Sequence, residues 1–237
     1  METRSLSLRV VPGEDPDRPM ASVHVDGVPL TEVWRLHLRC FDPDELFGDP
    51  VLLPADPPRR VAVLVCSCGE PGCEVVAPLV EREGPYVAWR GARRYCGVFE
   101  GPTADASEIA EAEPQDGVQQ YDPPDLRFDA AAYEAEVRRA AADRSWETPR
   151  RATARLLRER LREEPVPGHT VLWVGPHQYV REGFRVSLLD AGGYQLVIDV
   201  LTPERPPREW AAAAEAVVRA GPGTWYVTYR GTAPLFG

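Results

Sequence analysis

The stretch Val61-Ala62-Val63-Leu64-Val65-Cys66-Ser67-Cys68-Gly69-Glu70-Pro71-Gly72-Cys73 decides how this chain is read. Val61 to Val65 is a β-branched run of the kind that suits a strand. Glu70-Pro71-Gly72-Cys73 reads as a turn: proline presets φ at about −65° and glycine supplies the positive φ that a type II turn requires. Residues two apart on a strand share a face, so Cys66 and Cys68 are expected to point the same way. A short hairpin then sets Cys73 opposite Cys68 and brings three sulfurs together.

Three close thiols support three readings. Thiolates suit zinc or another soft metal, and a structural zinc takes four ligands. The set expected is Cys66, Cys68, Cys73 and Cys96, with Cys40 or a distant histidine as alternatives for the fourth place. The spacing is Cys-x-Cys followed by a single cysteine, whereas common zinc knuckles repeat Cys-x-x-Cys. The blander reading is that these are small, reduced side chains packed around a glycine-dependent turn. A disulfide or redox pair is the third.

The same string carries a resemblance. Cys-Ser-Cys-Gly-Glu-Pro-Gly-Cys, then Val87-Ala88-Trp89, then Phe128-Asp129-Ala130-Ala131-Ala132-Tyr133 resembles an uncharacterised family from high-GC actinobacteria. That family has a Cys-x-Cys-Gly-x-x-Gly-Cys element, a Val-x-Trp strand and a Phe-Asp-x-x-x-Tyr helix start. The likeness covers roughly residues 20 to 143, and the chain has Glu74 and Ala92 where the family often has apolar or aromatic residues. The resemblance implies no activity, because the family has none assigned.

Composition bounds the rest. The 237 residues are 43% apolar, enough for an ordinary core, and contain neither lysine nor asparagine, as a GC-biased genome would produce. A net charge of −10 argues against general attraction to nucleic acid or anionic lipid and leaves room for a protein partner. No stretch has the length of a membrane span. Five cysteines, an odd number, behind an N-terminus without an apolar leader predict a reducing cytoplasm.

The expected fold class is α+β, with a β-rich N-terminal half that carries the cysteine hairpin in a meander, two central helices and a mixed α/β C-terminal unit. Residues 1–99 form the β-rich region, 100–127 an acidic loop or linker, 128–164 the helical segment and 165–237 the C-terminal unit. From Trp34 to Cys40, alternation puts Trp34, Leu36, Leu38 and Cys40 inward and Arg35, His37 and Arg39 outward. Pro78 inside a strand predicts an edge or a bulge. Asp129 is placed to cap a helix with Phe128 stapled to Tyr133, and Thr148-Pro149 to open a second. Tyr133, Val137 and Ala141 should line the packed face of the first. The second is rich in arginine, which fits phosphate contact but more often marks a solvated arm.

No nucleophile elbow, paired-histidine zinc motif, phosphate loop or dinucleotide fingerprint is present. His24, His37, His169 and His177 are widely spread. The leading expectation is therefore a non-catalytic cytoplasmic binding protein with a structural cysteine cluster, zinc being the cofactor considered. A thiol enzyme or redox sensor using the same cysteines, and an acidic antagonist of a basic protein, are the alternatives.

Overall fold

Pro78 interrupts a strand, and the computed structural model shows how the chain absorbs it. The structure describes residues 2–48, 50–69, 71–104, 106, 109 and 123–232. Most of the expected acidic linker, 100–127, lies outside the described residues. The fold is α+β, and the chain divides into two units, Met1–Trp146 and Glu147–Gly237. The helical stretch 128–164 is shared out between them, one helix to each core.

In the first unit, β1 (Thr3–Arg4), β2 (Leu6–Val11), β3 (Met20–Val25) and β4 (Val28–Pro29) lead into one helical turn, α1 (Leu30–Val33). A π-helical turn follows at Asp44–Gly48, then β5 (Arg59–Arg60), β6 (Leu64–Val65), β7 (Val75–Glu83), β8 (Tyr86–Tyr95) and β9 (Leu126–Asp129), ending in α2 (Ala130–Ala142). The larger sheet runs β1-β9-β8-β7-β5, with β6 also paired to β7; β2-β3-β4 form a second sheet. The β7–β8 register slips between Ala77 and Leu79, a bulge at Pro78. That proline has no N–H to donate, but its carbonyl accepts from Val61 N at 3.0 Å.

The core of this unit gathers around Trp89. Its ring meets Phe128 edge-on at 5.5 Å and Tyr133 at 6.4 Å, and its Nε1–H donates to Tyr133 Oη at 3.0 Å. Tyr133 in turn donates to the Leu52 carbonyl at 2.8 Å, so two buried polar groups are satisfied in one chain of bonds. Asp129 caps α2 by accepting from Ala132 N at 2.9 Å, and Phe128 packs on Tyr133 with ring centroids 5.3 Å apart. The buried face of α2 is Ala130, Tyr133, Val137 and Ala140; Ala141 is half-buried.

The alternation expected from Trp34 holds as burial through His37, while Leu38 and Arg39 are both half-buried, and the segment is not a strand. Arg35 adopts a left-handed φ of 54°, which ends α1, and regular pairing is then limited to one bridge between Arg39 and Val65.

In the second unit, α3 (Pro149–Glu163) is followed by β10 (His169–Pro176), β11 (Gly183–Asp190), β12 (Gln195–Leu201), α4 (Pro207–Arg219) and β13 (Tyr226–Gly231). The sheet is an antiparallel meander in sequence order, with α4 inserted between its last two strands. Thr148 caps α3, accepting from Arg151 N at 3.2 Å. Leu157, Leu161, Trp210, Ala214 and Val218 from the two helices pack with Phe184, Val186 and Ile198. Among the described residues no helix is long and apolar enough to cross a membrane.

Candidate metal centre

Val61, Ala62, Val63, Leu64 and Val65 are at most 1% exposed, because this run is buried on both sides. Its backbone is bonded accordingly: Val63 N to Val76 O at 3.0 Å, Val65 N to Arg39 O at 2.7 Å, and Cys66 N to Glu74 O at 2.8 Å. Burying the four larger side chains contributes on the order of 6–12 kcal/mol before ordering entropy is set against it. The base of the hairpin therefore stands on its own core.

The strand stops at Val65, one residue short of the cysteines. Its partner is Val75, so Cys66 faces Glu74, and Cys68 and Cys73 are not a ladder pair as the hairpin reading required. The sulfurs meet because the loop curls. Gly69 N donates to Cys66 O at 2.8 Å, closing a turn over Cys66, Ser67, Cys68 and Gly69. The left-handed residue is Gly69, with φ 85°, and not Gly72. The space a side chain would need there is filled by the Arg39 guanidinium: a Cβ on Gly69 would lie 1.7 Å from an Arg39 terminal nitrogen.

The outcome is a trio. The Sγ atoms of Cys66, Cys68 and Cys73 all lie within 4.8 Å of one another, and Cys66 and Cys73 are 3.5 Å apart. Cys68 and Cys73 are exposed and Cys66 is half-buried. A tetrahedral ion held at about 2.3 Å from each sulfur sets them about 3.8 Å apart, so the trio needs little movement to close on one.

The electrostatics single out Cys66. The Cys68 backbone N–H, with help from the Cys68 and Cys73 thiols, holds the Cys66 thiol below its ordinary range. Donating to Cys66 pushes Cys73 up to about 12. One sulfur is thus the acceptor of the cluster, and the cysteines beside it donate to it.

Cys96, expected as the fourth ligand, is not part of the trio. It follows buried Tyr95 in the bend that ends β8 and is exposed. Its neighbour Gly97 does bond Gly72 O at 2.9 Å, which ties the hairpin down without bringing the fourth sulfur in. Cys40 is a core side chain, 8% exposed, its thiol pushed up to about 11 by burial. No histidine, aspartate or glutamate among the described residues joins the three cysteines.

One polar cluster escaped the sequence reading. His177 is buried, and its Nδ1 accepts from Tyr179 N and Val180 N, both at 3.0 Å. Its Nε2–H therefore donates to Asp199 Oδ2 at 3.0 Å, and Asp199 also accepts from Arg185 and Thr228. The His177–Asp199 bond holds the turn between β10 and β11 against β12, and Arg185 and Thr228 tie Asp199 to β11 and β13, so the cluster reads as structural. Twenty-two residues separate histidine from aspartate, and only strand pairing joins them. Several α3 arginines are likewise engaged at home, Arg155 with Glu147 and Glu159, Arg160 with Glu215.

No family model, curated protein or solved structure matches the chain.

Proposed function

We propose that this is a binding protein which holds a thiophilic metal ion at a surface hairpin through Cys66, Cys68 and Cys73. The observation that carries it is the convergence of the three sulfurs within 4.8 Å. Three ligands with solvent beside them leave a coordination position that water or a side chain of a protein partner fills, as in sites that keep one place open. A reducing cytoplasm, expected from the unpaired cysteines, would keep the thiols available. Because the hairpin base is fully bonded and buried, the ion is better read as cargo or signal than as a staple that the fold requires.

Titrating reduced protein with Cd²⁺, a thiolate probe, tests this. One ion per chain is expected, with sulfur-to-metal charge-transfer absorbance that Cys66→Ser, Cys68→Ser or Cys73→Ser each diminishes and Cys96→Ser leaves unchanged. Far-UV circular dichroism should be the same with and without chelator. Equal binding by the three serine variants and the parent would remove the reading.

The 3.5 Å between Cys66 and Cys73 favours a second reading, a thiol switch. Hydrogen peroxide would then oxidise the two thiols to one disulfide, itself reduced to water. A Cys66–Cys73 crosslink on peptide mapping, in a protein that binds no Cd²⁺, would put this reading first.

A further inference from the structure

The trio offers three sulfurs within 4.8 Å of one another, two of them exposed, and no other metal-ligating side chain among the described residues joins them. Zinc on such a set takes its fourth ligand from elsewhere, from water or a partner. A trivalent ion of arsenic or antimony needs none. Such an ion is thiophilic, takes three sulfurs in a pyramid, and directs a lone pair where a fourth ligand would stand.

We propose that the hairpin selects a three-coordinate, lone-pair-bearing trivalent ion of the arsenic type over four-coordinate zinc. The inference rests on the reading of the trio as a metal site and names the ion class that its shape favours. The reaction balances without any redox partner. As(OH)₃ condenses with three thiols: three S–H and three As–O bonds break, three As–S bonds form, and three waters leave carrying the thiol protons. Arsenic stays trivalent and sulfur keeps its oxidation state. Zn²⁺, by contrast, displaces protons from the same thiols into solution and must take its fourth donor from outside them, from water or a partner.

Three features of the fold favour this product. Two of the sulfurs are exposed, so a neutral hydroxide reaches them without opening the core. Cys66 and Cys73 already stand 3.5 Å apart, and the pyramid needs only Cys68 to swing onto them. Cys68 sits on the turn between Ser67 and Gly69, where no ladder bond restrains it. Of the two further cysteines, Cys40 is buried and Cys96 stands apart, so neither adds a fourth sulfur.

The test uses the full chain, reduced with a phosphine, and arsenite as the probe. One arsenic per chain should bind and three thiols should disappear from a thiol titration. Cys40 and Cys96 should remain the alkylatable pair after denaturation in arsenite. Cys66→Ser, Cys68→Ser and Cys73→Ser should each lose the three-thiol adduct, and an equimolar addition of Zn²⁺ should not displace arsenic from the parent. The thiol count on the unmutated protein stands even if a variant misfolds. If Cd²⁺ binds through the trio but arsenite consumes only two thiols, or yields to equimolar zinc, the selectivity falls while the metal site stands. If neither ion engages these cysteines, the site itself falls.

Discussion

Gly69 is the residue on which the trio turns. Its φ of 85° lies where a Cβ collides with the backbone, and the Arg39 guanidinium occupies the place of that Cβ. The guanidinium is the free end of a flexible side chain and moves aside, whereas the dihedral does not. Gly69→Ala should therefore lower stability by about 1–2 kcal/mol in a urea titration and weaken Cd²⁺ binding. Adding Arg39→Ala should recover only the steric share. Full recovery in the double variant would show that the backbone conformation is not the constraint.

At the scale of elements, α2 closes the outer edge of β2. Leu8 N donates to Glu136 Oε1 at 2.6 Å, Leu8 O accepts from Arg139 at 2.5 Å, and Arg139 pairs back with Glu136. One residue of an edge strand thus has both backbone groups occupied by a helix, which protects the edge from pairing with another chain. Partial burial opposes ionisation of Glu136, but the Arg139 guanidinium and the Leu8 N–H outweigh it and hold the carboxyl below its ordinary value of 4.5. A depressed folded-state pKa stabilises the fold above the unfolded value, and that contribution is lost as pH falls through the folded value. Glu136→Gln keeps an acceptor for Leu8 but loses the ion pair, so it should cost about 0.5–1 kcal/mol at neutral pH. As pH falls through that depressed folded value, the two proteins should converge in denaturant midpoint. A difference that persists in acid would mean that packing, not charge, is what the substitution removes.

At the scale of the molecule, the two units have separate cores. One is centred on Trp89, the other on Trp210, which is fully buried, meets Phe184 edge-on at 5.0 Å and donates to the Thr202 carbonyl and hydroxyl. Trp210→Ala should cost the second unit about 3–5 kcal/mol through the cavity it leaves. Native-state hydrogen exchange should then show faster exchange in β11, β12 and α4, with β7 and β8 keeping their protection. Equal loss of protection in both units would mean that they unfold together.

Local signals in the sequence went far. Proline in a strand meant a bulge at Pro78, an aspartate after Phe128 meant a capped and stapled helix, and Thr148-Pro149 opened the next one. Each depends on steric or hydrogen-bonding preferences acting within a few residues, which tertiary packing left intact. The α+β class was legible for the same reason; the three cysteines converge as expected, but through a curled loop and not through a ladder pair. Packing decided the rest: that Val61 to Val65 is buried throughout, that Gly69 takes the left-handed position, that Cys96 stays outside the trio, and that His177 meets Asp199. These depend on which strand lies beside which, and pairing is a long-range outcome that alternation along one strand does not encode.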